Sequence, residues 1–150
     1  MTNGSLTAAA VISFTTEFEK KSSTFYFGLA ERWPENKGIF LGFAEAGEKH
    51  ETWVVRTYRE TISDALEASY AFEGMNLEHY AVETELVENA GYADALKMAL
   101  ALEEKACKFY LEVAERSQSL LATIPMAFKR VAKKRSKRKA RLQSLLDARP

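Results

Sequence analysis

Apolar residues return along this chain at helical intervals. Over about residues 6–32, Val11, Phe14, Phe18, Phe25 and Leu29 fall mostly three, four or seven positions apart, the spacing of one helix face. The pattern stops at "RWPEN", because Pro34 biases Trp33 away from the α region. It resumes over about 36–62, where Phe40, Phe43, Ala44, Val54, Val55 and Tyr58 share a side. Residues 64–91 carry Gly74, Asn76 and Gly91 and read as a connection with a short helix near "DALEASYAF", 64–72. Two more periodic segments cover about 92–119 and 125–146, the last opening on Pro125, which a first turn tolerates. Short turns join the first helix to the second and the third to the fourth, whereas about 28 residues separate the second from the third. The pattern predicts an all-α single domain over 1–150. Its architecture is a four-helix bundle of two antiparallel hairpins joined by one long crossover between helices 2 and 3, with negligible β content.

Composition changes this picture little. A length of 150 residues, 47% hydrophobic and 28% charged, suits one globular domain with a substantial core. The longest uncharged apolar run, "AAAVISF", is far short of a membrane span, and no cationic segment leads into it, so neither a span nor a signal peptide is expected. One cysteine, Cys107, excludes an intramolecular disulfide and suits a reducing, cytoplasmic setting. Charge changes it more. The net charge is zero, yet residues 1–128 sum to −9 and residues 129–150 to +9. An acidic body with a basic final helix requires a reason.

A second signal is internal repetition. "EKKSSTFYFGLAER" (19–32) and "EEKACKFYLEVAER" (103–116) match at seven of fourteen positions without a gap. More weakly, "FLGFAEAGEKH" (40–50) pairs with "FKRVAKKRSKR" (128–138), so the duplicated unit is a helical hairpin. In each first helix a Glu stands two turns before a Tyr, Glu19 with Tyr26 and Glu103 with Tyr110, so both project from one face. A carboxylate facing a bundle core costs several kcal/mol unless it is neutralised. Two of them, related by internal symmetry, imply a shared counter-charge.

In its twice-written pattern of Glu, then Phe-Tyr six and seven residues on, then after a turn Phe…Ala and the place of a Glu-x-x-His, the chain resembles the rubrerythrin-like branch of the ferritin-like superfamily over about residues 10–146. The resemblance implies a ferritin-like bundle and a homodimer. It also implies a dimetal centre in which each hairpin supplies one Glu and one Glu-x-x-His pair, and peroxide- or iron-oxidising chemistry. Glu19, His50 and Glu103 match three of those six ligand positions. Gly47, Arg135 and Arg138 occupy the other three. Glu45 and Glu48 flank Gly47 but point roughly 160° and 100° away around the helix, so neither substitutes. By the same resemblance Tyr26 and Tyr110 donate hydrogen bonds to the glutamates; alternatively they are large core residues with satisfied hydroxyls.

The inward stripe of the last helix reads Phe128, Val131, Ala132, Arg135, Arg138, Leu142, Leu145, which puts two guanidinium groups at the layer of the two carboxylates. The expectation is therefore a metal-free centre without cofactor, in which Arg135 and Arg138 form buried salt bridges with Glu103 and Glu19, in a non-catalytic structural or interaction protein. The alternative is a metal-binding protein or oxidoreductase holding one iron, manganese or zinc ion through Glu19, His50 and Glu103. A third reading takes the outward basic residues Lys129, Arg130, Lys133, Lys134, Lys137, Lys139 and Arg141 as a site for an anionic partner. The plainer account is a solvated face balanced by Glu83, Glu85, Glu88 or carboxylates of the third helix. No aromatic follows Phe128 and no nucleic-acid motif is present, so specific base reading is not expected. His79 reads as a surface residue and Cys107 as an inert, buried or half-buried thiol.

Overall fold

The computed structural model describes residues 7–61, 72, 74–117 and 123–148. It contains four long helices: α1 (Ala8–Arg32), α2 (Lys37–Thr61), α3 (Tyr92–Arg116) and α4 (Thr123–Asp147). Among the described residues there is no strand, and no helix is long and apolar enough to cross a membrane. Short 3-10 turns occupy Pro34–Asn36 and Leu77–Tyr80, the second of them not foreseen from the sequence. The short helix expected at 64–72 lies outside the described residues, Phe72 aside.

Local chemistry sets the helix ends. The Thr7 hydroxyl accepts from the Ala10 amide at 3.1 Å and caps α1. Trp33, before Pro34, leaves the α region at φ −130° and ψ 77°. The Asp94 carboxylate accepts from the Gly91 amide at 3.2 Å at the start of α3. α4 begins at Thr123, two residues before the expected start, so Pro125 sits in the first turn, where its missing N–H costs no intrahelical bond. α3 ends at Arg116 rather than near 119, with the Ser117 amide donating back to Val113 and Glu115.

α1 packs on α2, α3 on α4, and α2 on α4. The α1–α3 side is filled by aromatic rings, with Phe14 and Phe18 meeting Phe109 at 4.9 and 6.3 Å between centroids. Tyr92, the first residue of α3, packs against Trp33 at a tilt and edge-on against Phe40 beside the α1–α2 turn. The last turns of α2 lie at the other end, where Val54 and Tyr58 share a small apolar gap with Ala8, Val11, Ile124 and Phe128. The chain leading into α3 is tied down by Arg32, whose guanidinium donates to the Val87, Glu88 and Ala90 carbonyls at 2.9–3.2 Å. It is held further by Lys105 on the His79 carbonyl and Tyr80 on Glu112.

Burial follows the repeat. All nine buried positions of α1 from Val11 to Ala30 have a buried counterpart 84 residues later in α3. Phe40, Ala44, Gly47, His50 and Val54 of α2 correspond to Phe128, Ala132, Arg135, Arg138 and Leu142 of α4, 88 residues later and all buried. The duplicated sequence therefore specifies a duplicated core face. At its middle stand charged groups: Glu19, Glu103 and Arg135 are at most 1% exposed, His50 2% and Arg138 5%. Burial this complete makes the pairing of these groups the main electrostatic problem of the fold.

Candidate functional site: a buried arginine clamp

Each helix delivers side chains to the centre. Arg135 of α4 lies between the two carboxylates, one terminal nitrogen donating to Glu19 Oε1 at 2.7 Å and the other to Glu103 Oε2 at 2.8 Å. The second nitrogen also donates to Ser22 Oγ at 3.1 Å. Arg138 reaches Glu103 Oε2 at 3.4 Å, with its guanidinium 4.7 Å from the Phe43 ring centroid and 5.3 Å from that of Tyr26. His50 Nδ1 lies 3.3 Å from Glu19 Oε1. The expected buried salt bridges of Arg135 and Arg138 with Glu103 and Glu19 form, with Arg135 serving both carboxylates and Arg138 meeting Glu103 alone. Spanning two carboxylates, rather than forking onto one, has a cost that is visible in the geometry. No described protein group bonds Glu103 Oε1 or Arg135 Nε.

The tyrosines close the site crosswise. Tyr26 donates to Glu103 at 2.6 Å, and Tyr110 donates to Glu19. Each hydroxyl thus serves the glutamate of the other repeat, so the two readings of these residues merge: both are core residues, and both are donors. The repeat holds elsewhere too. Ser23 donates to the Ala44 carbonyl at 2.7 Å, and at the equivalent place Cys107 Sγ lies 3.9 Å from the Ala132 carbonyl. Cys107 is half-buried, and burial pushes its thiol pKa up, as expected of an inert thiol. His79, Glu45 and Glu48 are exposed.

The widest departure from the repeat is at Gly47 and Arg135. A Cβ at 47 would stand 2.3 Å from Ser23 Oγ and 3.4 Å from Glu19 Oε1. No side chain fits there while Ser23 keeps its bond to Ala44. An open cleft of about 430 Å³, lined in part by Glu19, Ser23, Gly47 and Glu48, marks that side of the bundle.

The charges settle around the clamp. Burial alone would raise the Glu19 pKa, but Arg135 and His50 outweigh it and hold the carboxyl at about 2. Burial would lower the Arg135 pKa, and the two carboxylates reverse that, raising it well above the ordinary arginine value. Arg138 is shifted down, by burial first and by the charge of Arg135 second. Burial also lowers the His50 pKa against the pull of Glu19, which favours a neutral imidazole. Both tyrosines are raised well above their usual value, by burial and by the facing carboxylates. With His50 neutral, two glutamates and two arginines sum to zero at the centre.

Among the described residues, no three His, Cys, Asp or Glu side chains are grouped to hold a metal ion. Glu19 and His50 touch, but the Arg135 guanidinium separates Glu19 from Glu103. No family model, curated protein or solved structure matches the chain.

Two measurements check this geometry. Depressed pKa values mean that stability present above the unfolded pKa is lost as pH falls. Urea-denaturation stability should therefore begin to fall below pH 6.5 as unfolded His50 gains its proton, then drop by roughly 3 kcal/mol between the ordinary 4.5 and the folded value of about 2 for Glu19. A profile that stays flat from pH 5 to pH 3 would count against the clamp. At the seam of α1 and α2, Gly47→Ala should gain about 1 kcal/mol of helix propensity and forfeit a similar amount from the Ser23 hydrogen bond. It should be near neutral in the natural protein and stabilising in a Ser23→Ala background; identical effects in both backgrounds would contradict the close approach.

Proposed function

We propose that this protein is a ferritin-fold bundle of rubrerythrin-like type in which an arginine clamp stands in the place of the dimetal centre, and that it serves as a non-catalytic structural or interaction protein. Several observations support the fold reading. α3 starts at the opposite end of the bundle from the end of α2, so the connection has to run the length of the helices, as a ferritin-like crossover does. The two hairpins share burial, carbonyl bonds and crossed Tyr–Glu bonds position for position.

The observation that carries the functional reading is the Arg135 guanidinium within 2.8 Å of both carboxylates that the resemblance assigns to metal. Arginine already supplies the positive charge that two buried carboxylates require. A divalent ion about 4 Å from one guanidinium would be opposed by roughly 8 kcal/mol at an effective dielectric of 20. The residues present therefore do not fit a dinuclear centre: Gly47 offers no ligand, and Arg135 and Arg138 are cations at positions where donors are needed. Pairing as a homodimer and a cytoplasmic setting belong to the same reading, through the resemblance and the single cysteine.

Metal analysis of freshly purified protein, followed by ferroxidase and peroxidase assays with added ferrous iron, tests this. The expected result is no stoichiometric metal and rates equal to those of iron alone. Two tightly bound irons per chain would refute it. A single bound ion lost in both Glu19→Gln and His50→Ala would instead establish the mononuclear alternative.

A further inference from the structure

The clamp accounts for the two inward arginines of α4 and leaves the outward ones unexplained. Between residues 129 and 141 the helix carries nine Lys or Arg and no acidic residue. Arg130, Lys133, Lys134, Lys137 and Arg141 are all exposed, and their spacing places them on one stripe about 16 Å long. None of the five makes an ion pair among the described residues. The balancing carboxylates expected from the sequence do not supply one. Among the described residues Glu83, Glu85 and Glu88 form no ion pair with α4, and the carboxylate that does pair with an outward cation, Glu104, meets Lys139, half a turn around the helix from the stripe. The stripe is also fixed in place. Arg130 lies 3.6 Å over the Trp53 ring of α2, and the exposed Arg56 stands one turn further along that helix.

We propose that this face binds the phosphate backbone of nucleic acid, without regard to base sequence. The chemistry of the face selects this occupant over two others. Protein–protein interfaces are depleted in lysine and centred on apolar or aromatic anchors, whereas the exposed positions from 129 to 141 are Lys, Arg, Ser and Ala. A membrane-surface helix inserts large apolar side chains beside its basic ones, and the stripe has none within that span. A straight, rigid row of cations matches a regular row of phosphates, and without an exposed aromatic or amide in the row there is nothing to read bases. Helical register in the sequence separates these outward cations from Arg135 and Arg138; the structure adds that the five make no ion pair among the described residues.

The test is binding of the full chain to a labelled mixed-sequence duplex of about 20 base pairs over a salt series. With five phosphates contacted, log K should fall against log salt with a slope of about −4.5, a loss of several hundred-fold between about 50 and 200 mM. A duplex of unrelated sequence should bind equally. Lys137→Gln should reduce the slope by about 1, and Lys133→Glu/Lys137→Glu should abolish binding while melting as the natural protein does. Lys133→Gln/Lys137→Gln gives the same readout without charge reversal, should the reversed protein fail to fold. No duplex binding at low salt would overturn the proposal. So would binding only to phosphatidylserine vesicles, or salt-sensitive self-association without duplex that the same reversal removes. These side chains face away from the clamp, so the outcome is independent of whether the centre binds metal.

Discussion

One buried guanidinium holds this bundle together electrostatically. Hairpin duplication places two carboxylates, Glu19 and Glu103, in the middle of a four-helix core where water does not reach either. Left alone, each would cost several kcal/mol or take up a proton. Arg135 sits between them and donates to both, Arg138 and His50 add one contact each, and the crossed tyrosines satisfy further lone pairs. Each of the four long helices contributes to this cluster, so it fixes their mutual height as well as their charge. Apolar packing alone specifies height weakly, since a helix can slide by a turn along a smooth stripe. A fork that must meet two carboxylates cannot slide.

The clamp is asymmetric although its frame is not. Positions 47 and 135 are equivalent in the repeat, and one holds no side chain while the other holds a long, charged one. The two facts fit together. At 47 the helices approach so closely that a Cβ would displace Ser23; from 135 a single arginine reaches both halves. A second arginine at 47 would have added charge where the sum is already zero. Its place is taken by a Ser23–Ala44 bond that draws α1 and α2 together.

Much of this was legible in the sequence. Helix spacing, the break at Pro34 and the repeat give the four helices and the inward direction of Glu19, Glu103, Arg135 and Arg138, because within one helix a residue's number fixes its face. What one helix cannot reveal is its level against another. That is why the sequence does not reveal that the tyrosine bonds cross, Tyr26 to Glu103 and Tyr110 to Glu19, or that Arg135 alone bridges both carboxylates. Arg130 over Trp53 joins α4 to α2 and escapes sequence reading for the same reason. The extension of α4 back to Thr123 reflects Pro125 being compatible with the first turn as well as with its start.

The central claim is that Arg135 is the counter-charge for two buried carboxylates, and it is tested most directly by removing the charge in two ways. Equilibrium urea denaturation would compare Arg135→Met with the triple substitution Arg135→Met, Glu19→Gln and Glu103→Gln. The account predicts that the single change costs about 3–5 kcal/mol, because it strands two carboxylates, and that the neutral triple regains most of it. An Arg135→Met protein as stable as the natural one, or a triple no more stable than the single, would contradict it.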